Sequence, residues 1–186
     1  SLCCNISNRG VAYWNGKVIW GTLDGRLIAV DAKKGTKVWE SQTTDTQLAL
    51  SITGAPRVGN GRVFIGQAGA EFHQRGYMSA WDAETGKKLW HWWVVPGNPA
   101  KGFEQPELEW AAKTWNGDWW KTGGGGTPWD GILFDPDVPV GSAGEAPHHG
   151  VVARRAGPAL QQAALDRKAR IVEIEERHHL PDASQI

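Results

Sequence analysis

The segment AVDAKKGTKVW at residues 29–39 returns as AWDAETGKKLW at residues 80–90, an offset of 51 (80 minus 29). Both copies follow the pattern Ala-x-Asp-x-x-x-Gly-x-x-x-Trp. Self-similarity at a period of about 40 to 50 residues is typical of repeat architectures, and four short strands per repeat make one propeller blade. A single eight-stranded sandwich gives no reason for the same signature in each unit. The repeat therefore predicts an all-β chain built from consecutive β-propeller blades.

Tight turns divide each unit into short strands. Asn15-Gly16 lies between two apolar segments and fits a type I′ turn, because both residues tolerate positive φ. We predict four-stranded antiparallel blades over residues 10–41 and 53–93, and the start of a third blade at residues 127–135 (TPWDGILFD).

The two units differ in one loop. Residues 10–21 align with residues 54–66, and at the end of this stretch the two units are offset by 45 residues (66 minus 21). Further along the chain, the two copies of the motif are 51 residues apart. The second unit is thus longer by six residues, which fall in loop 67–76. A repeat that lengthens one loop in one blade usually does so for binding.

Composition separates two parts of the chain. All 12 tryptophans lie between Trp14 and Trp129, and the last aromatic residue is Phe134. Residues 138–186 contain no aromatic residue, so we place a boundary near Asp137 and expect a disordered or helical tail. We interpret this tail as an out-of-frame translation or a cloning junction, unrelated to the first part.

Charge and hydropathy exclude several classes of protein. Twenty basic residues balance 20 acidic ones, and no basic stripe alternates with aromatics, so no nucleic-acid partner is expected. No apolar run approaches the roughly 18 residues of a transmembrane segment, and no signal peptide is recognisable. The chain opens Ser-Leu-Cys-Cys without an initiator Met, which we interpret as a start within a longer protein.

The repeat resembles the tryptophan-docking motif of the alcohol dehydrogenases that depend on pyrroloquinoline quinone (PQQ), which are eight-bladed propellers. Non-catalytic propellers with PQQ-like repeats, which act as assembly scaffolds, share that motif and are the alternative. Three further segments resemble the methanol and ethanol dehydrogenases in particular: Cys3-Cys4 followed by Asn8-Arg9-Gly10, GAE at residues 69–71, and GGGGTPWD at residues 123–130. The resemblance covers residues 1–137 and favours a quinoprotein fragment over a scaffold.

This resemblance implies a periplasmic oxidoreductase that converts alcohols to aldehydes with PQQ and a Ca²⁺ or lanthanide ion. A cytochrome c-type protein is the expected electron acceptor. The family's aspartate base and the asparagine that shares its metal fall outside the matched residues. We therefore expect no catalytic residue in this chain and no activity from the chain alone.

The resemblance also implies how a flat quinone site is built. In the family, adjacent cysteines form a ring disulfide against one quinone face, which gives this place to Cys3 and Cys4; without the resemblance, free thiols are the simpler interpretation. Trp129 would be the floor on which the quinone stacks, and Arg9 would donate to the quinone oxygens. A buried structural Trp129 and a solvated Arg9 are the alternatives.

Loop 67–76 resembles the family segment that holds the quinone carboxylates and the metal. Ala68, Gly69 and Ala70 would contact the carboxylates, and Glu71 would ligate the metal, since a hard cation prefers oxygen ligands. Ala68 stands where the family often has Gly or Ser, which removes a hydroxyl contact but no charge.

Repeat alignment gives a separate reason to expect Arg9, Thr53 and Trp129 together. Each holds the equivalent position at the start of the first strand of its unit, and first strands line the central channel of a propeller. Thr53 and Thr127 complete the predicted cofactor-binding set. We expect this set, with Glu71, to gather at one end of the blades.

The long connection between the second and third units is rich in carboxylates. We expect them to be solvated and to carry no function: Glu104, Glu107, Glu109 and Asp118.

Overall fold

The computed structural model describes residues 4, 6–129, 132–134 and 151–153 of the 186-residue chain. The first sheet has four strands: β1 (Ala12–Trp14), β2 (Lys17–Gly21), β3 (Arg26–Asp31) and β4 (Lys37–Gln42). They pair antiparallel in chain order, as in a meander.

The second sheet repeats this arrangement. Its strands are β5 (Arg57–Gly59), β6 (Arg62–Gly66), β7 (Tyr77–Asp82) and β8 (Lys88–Trp93). They also pair antiparallel in chain order. The prediction of two consecutive four-stranded blades over residues 10–41 and 53–93 is confirmed.

The first hairpin of each blade turns on the same dipeptide. Asn15 and Gly16 have φ of 42° and 77°, and Asn60 and Gly61 have φ of 48° and 72°. Positive φ at both central residues is the requirement of a type I′ turn, whose twist matches that of the flanking strands. The turn chemistry therefore fixes the register of both hairpins.

Packing between the sheets places the core. Trp39 lies between the two blades, in a cluster of buried side chains that includes Ile19, Leu27, Ile65 and Trp81. A second cluster joins the second blade to the third unit, where Phe64 and Met78 pack with Ile132, and Trp90 covers them. Trp39 and Trp90 pair with Ala29 and Ala80 in the same register, so the two copies of the motif hold equivalent positions in their sheets.

A third sheet begins with β9 (Ile132–Phe134), which pairs antiparallel with β10 (Val151–Ala153). Residues 151–153 thus differ from the expected disordered or helical tail, because two β-branched valines suit the ladder offered by β9. The rest of the predicted tail, within 138–186, lies outside the described residues, as does the boundary at 137.

The connection between β8 and the third unit folds into short helical segments. They are a 3-10 helix (Pro99–Lys101), α1 (Pro106–Ala112) and a 3-10 helix (Trp119–Thr122). None of the helices in the described residues combines the length and apolarity needed to cross a membrane.

Candidate functional site

The first strands of the three units lie next to each other, and the segments that enter them form one rim. The backbone amide of Arg9 donates to the carbonyl of Thr53 at 3.0 Å. Strand β5 contacts β9 in turn, and Arg57 Nε donates to the carbonyl of Ile132 at 2.9 Å. The three residues that repeat alignment makes equivalent, Arg9, Thr53 and Trp129, therefore come together.

A cavity of about 230 Å³ opens at this rim. Its lining comes from the entry segments and from loop 67–76: Cys4, Ser7, Arg9, Thr53, Ala68, Glu71 and Trp129. Six of these seven residues belong to the set predicted from the sequence. Ser7 does not, because the segment before Arg9 gave no reason to choose it beyond its position between two motifs.

Opposite charges and an aromatic face meet in this cavity. The guanidinium carbon of Arg9 lies 4.6 Å from the centre of the Trp129 ring, and Arg9 Nη1 donates to the carbonyl of Thr53 at 3.3 Å. Glu71 Oε1 lies 3.7 Å from Cys4 Sγ. Trp129 is 40% exposed, which is unusual for a tryptophan with only a packing role. The cavity therefore offers a cation, a carboxylate and an accessible indole face.

Three other residues of the predicted set lie beside the lining. Gly69, at φ 130°, precedes the 3-10 helix Ala70–Phe72, which carries Glu71 in its first turn. Thr127 is 9% exposed, and its Oγ1 is buried without a hydrogen-bond partner among the described residues. A buried hydroxyl without a partner costs free energy. Cys3 lies outside the described residues.

Two glycines allow the segment that carries Trp129 to approach the second blade. A Cβ on Gly54 would lie 2.8 Å from the carbonyl oxygen of Trp129, and a Cβ on Gly66 would overlap the carbonyl oxygen of Pro128. A larger residue at either position would push residues 127–129 away from the cavity. Residues 127–129, which form the floor of the cavity, can thus hold this position because Gly54 and Gly66 have no side chains.

The base of loop 67–76 is held by side chains that the sequence did not single out. Gln67, 1% exposed, donates through Nε2 to the carbonyl of Arg75 and accepts from the amide of Tyr77. Arg75 forms a two-pronged ion pair with Glu104. Glu104 is 46% exposed, in line with the expected solvation, but it also pairs with the guanidinium of Arg75, which holds the pKa of Glu104 below the usual range.

The metal-binding capacity of the described residues is limited. They contain no cluster of three or more His, Cys, Asp or Glu side chains that could hold a metal ion. Glu71 is the carboxylate among the lining residues. A metal ion at this rim would need ligands from elsewhere as well.

Comparison with known proteins identifies what this arrangement belongs to. A family model, PQQ_2, described as outer membrane protein assembly factor BamB, matches residues 8–102. The quinohemoprotein alcohol dehydrogenase ADH IIB of Pseudomonas putida is 58% identical over 137 residues, which cover 73% of this chain and 20% of the relative. The chain belongs to the family of PQQ-dependent alcohol dehydrogenases.

Two further members of the quinoprotein dehydrogenase family show the range of the likeness. The quinohemoprotein alcohol dehydrogenase of Comamonas testosteroni is 48% identical over 170 residues, covering 88% of this chain and 24% of the relative. The structure of a europium-containing methanol dehydrogenase superposes with a TM-score of 0.61 and 37% identity, covering 72% of this chain and 25% of the other. The quinoprotein propeller fold predicted from the repeat is therefore confirmed. The chain spans about a fifth to a quarter of the length of these relatives.

The Comamonas relative also bears on the end of the chain. Coverage of 88% of 186 residues is about 164 residues, which is more than the first 137. That alignment must therefore extend beyond residue 137. The division into a propeller part and an unrelated tail stays a prediction.

Proposed function

We propose that this chain supplies one side of the PQQ and metal site of a periplasmic alcohol dehydrogenase, which oxidises alcohols to aldehydes. One observation carries the proposal: Arg9, Glu71 and Trp129, from three consecutive repeat units, line a single cavity. The chain positions of these residues are far apart, and only the blade arrangement unites them. A propeller that serves as a scaffold has no need for this set of groups at one point.

The chemistry of the cavity fits a flat, polyanionic ligand. An exposed indole face suits a tricyclic ring system, and ligand sites combine such apolar surfaces with a few placed polar groups. The guanidinium of Arg9 matches an anionic or carbonyl-rich edge, because its planar donors bind oxygen pairs. Thr127, two residues before Trp129, carries a hydroxyl without a hydrogen-bond partner among the described residues and is proposed as a further donor. The volume of about 230 Å³ is below the roughly 300 Å³ of a complete ligand pocket, as expected when other blades contribute the remaining wall.

Each lining residue receives a role in this proposal. Trp129 stacks against the ring system, and Cys3-Cys4 covers the opposite face as a ring disulfide; Cys4, the described half of this pair, is not a free cysteine. Arg9 and Thr53 donate to ligand oxygens at the rim. When bound, PQQ supplies the two-electron acceptor for the alcohol, and the metal ion supplies Lewis acidity.

In this proposal, loop 67–76 contacts the carboxylates of PQQ and the metal ion. Ala68, Gly69 and Ala70 present backbone and small side chains, so that ligand carboxylates can approach the chain closely. Glu71 contributes one oxygen ligand to Ca²⁺ or a lanthanide ion. A hard cation needs six or more oxygens, so most of its ligands must come from the cofactor, water and other parts of the protein.

Arg9 must move for a ring to stack on Trp129. In the structure its guanidinium lies over the indole, and cation–π pairs of this kind contribute about 0.5 to 2 kcal/mol. A ligand that offers oxygen acceptors can replace this contact by charge-assisted hydrogen bonds to the same guanidinium. The proposed ligand therefore exchanges one favourable contact of Arg9 for another.

The remaining functions belong to the whole protein. We propose an aspartate base outside this chain, an alcohol as the substrate and a cytochrome c-type protein as the electron acceptor. The relatives are named as quinohemoproteins or quinone-dependent alcohol dehydrogenases, which supports this assignment.

A scaffold propeller is the second candidate, because the matching family model is described as an outer membrane protein assembly factor. That model covers the blade repeats, residues 8–102, and stops before Trp129. Ligand binding separates the two functions. We expect the 186-residue chain to bind PQQ in the presence of Ca²⁺, and the quenching of tryptophan fluorescence measures this binding. The variant Trp129→Ala should not bind PQQ. Wild-type fluorescence that does not respond to PQQ would favour the scaffold.

A further inference from the structure

Arg75 connects loop 67–76, which contributes to the cavity lining, with the connection that follows β8. It is the ninth residue of loop 67–76, four positions after Glu71. Its Nε donates to the carbonyl of Val95 at 2.6 Å, and its two Nη atoms donate to both oxygens of Glu104 at 2.6 and 2.9 Å. Its guanidinium carbon also lies 4.1 Å from the centre of the Trp93 ring. The guanidinium thus contacts both the end of β8 and the connection that follows it.

The backbone of the same loop rests on the glycine segment 123–126. The amide of Gly76 donates to the carbonyl of Gly125 at 2.7 Å, and Arg75 forms a parallel bridge with Gly125. A Cβ on Gly76 or on Gly123 would overlap backbone of the facing segment. Since this glycine segment leads directly to Thr127 and Trp129, the loop and the floor of the cavity share one contact surface.

These contacts make the position of Glu71 dependent on a residue outside the cavity. The 3-10 helix Ala70–Phe72 has no side-chain hydrogen bond at its N-cap, and none of its residues is buried. The loop is anchored at one end by Gln67 and by the paired backbone hydrogen bonds of Ala68 with Ser51, and at the other end by Arg75. We propose that the Arg75–Glu104 ion pair is a positioning device that holds Glu71 opposite Trp129; the ligand part of this inference rests on the proposed function.

The structure offers a matched control for the test. Lys17 and Glu84 form an ion pair between the two blades, with side chains that are 12% and 48% exposed, against 17% and 46% for Arg75 and Glu104. The two pairs are similarly buried, but neither Lys17 nor Glu84 is among the residues that line the cavity. Lys17→Gln therefore removes a comparable interaction and leaves loop 67–76 alone.

Hydrogen exchange followed by mass spectrometry tests the positioning role without any ligand. In the 186-residue chain, we expect Arg75→Gln and Glu104→Gln each to accelerate exchange in loop 67–76 about tenfold, while exchange in β6 and β7 stays unchanged. The double variant should exchange no faster than Arg75→Gln, because the two residues act as one unit. Lys17→Gln should leave the loop at the wild-type rate. Glu104→Gln changes only a half-exposed side chain, so it tests the role even if Arg75→Gln fails to fold.

Two results would overturn the inference. One is wild-type exchange of loop 67–76 in Glu104→Gln. The other is faster exchange throughout the blade in both variants, which would make the pair a general stabiliser like Lys17–Glu84.

A PQQ titration with Ca²⁺, read by tryptophan fluorescence, adds the ligand arm. We expect the apparent Kd to rise about tenfold in Glu104→Gln, the lower end of what loss of a supporting contact around a metal ligand costs, and to stay unchanged in Lys17→Gln. Equal affinity of the wild type and Glu104→Gln overturns the link to Glu71. A wild-type chain that binds no PQQ contradicts the proposed function instead, and the exchange experiment still decides the role of the ion pair.

Discussion

Trp39 Nε1 of the first blade donates to the carbonyl of Ala83 in the second blade at 3.1 Å. The indole ring lies over Gly86, where a Cβ would be only 2.6 Å from Trp39 Cε3. The tryptophan of one motif thus docks on the glycine turn of the next copy. This contact explains why both residues recur together in each repeat.

The docking contact predicts a difference between two equivalent glycines. Gly35 and Gly86 have nearly the same φ, 68° and 72°, but a Cβ on Gly35 would meet nothing within 4 Å. Gly35→Ala should therefore cost about 1 kcal/mol of unfolding free energy from backbone strain alone. Gly86→Ala adds about 1 to 3 kcal/mol, because the new methyl group displaces the ring of Trp39. Urea unfolding of both variants measures the difference, and equal destabilisation would contradict the docking role.

The same contact shows why the fold could be predicted from the sequence. Asn-Gly turns, alternating strands and a Gly-to-Trp spacing are local signals, and each blade carries them in full. Strand β10 could not be predicted in this way, because the sequence between β9 and β10 contains no copy of the repeat. The equivalence of Trp39 and Trp90 could be recognised in the sequence only because it contains two copies of the motif, which define a period.

Gly66 predicts a coupling between the second blade and the cavity floor. Its Cβ would overlap the carbonyl oxygen of Pro128, so Gly66→Ala should displace Trp129 and weaken PQQ binding at least tenfold. Gly61→Ala is the control in the same blade: a Cβ there meets nothing within 4 Å, and the strain at its φ of 72° stays in the turn between β5 and β6. Fluorescence titration of both variants with PQQ and Ca²⁺ gives the comparison. Wild-type affinity in Gly66→Ala would show that the 127–129 segment does not form the floor.

His91 predicts how stability depends on pH. Burial, with Lys88 and Arg75 nearby, lowers the pKa of His91 from 6.5 to about 4, and its ring stacks on Tyr77 at 4.2 Å. Between pH 6.5 and about 4, His91 is protonated in the unfolded chain but neutral in the folded chain. His91 therefore makes the free energy of unfolding fall as the pH drops through this range. His91→Phe keeps an aromatic ring and should flatten this part of the pH profile.

Thermal unfolding of the two proteins at pH 7, 5.5 and 4.5 measures the effect. The charge of His91 also helps to lower the pKa of Glu104, so the difference between the wild type and His91→Phe reports the imidazole together with its coupling to that carboxylate. A constant difference in Tm across the three pH values would show that His91 does not titrate in this range.

The predicted residues that the structure brings to one cavity are residues that a motif marked in the sequence, and their role in binding a cofactor stays a prediction. Arg9, Glu71 and Trp129 were chosen because each lies in a recognisable segment, and the structure places them around one cavity. The pairing of Arg75 with Glu104 was not predicted, because nothing near a carboxylate in a long connection indicates a partner 29 residues earlier in the chain. Contacts that hold a site together from outside depend on three-dimensional proximity, which a single sequence does not encode locally.

The chain alone should bind its cofactor without turning over an alcohol. It spans 20 to 24% of the length of the Pseudomonas and Comamonas relatives, and the described lining of the cavity contains Glu71 and Arg9 but no second carboxylate to remove the hydroxyl proton. General-base catalysis contributes roughly 10²- to 10⁴-fold, so its loss, together with an incomplete metal site, should bring the rate to the background. The assay is reduction of an artificial electron acceptor by ethanol with PQQ and Ca²⁺ present, with the complete Comamonas enzyme as the positive control. Turnover above the protein-free reaction that disappears in Glu71→Gln would show that this fragment carries a base of its own.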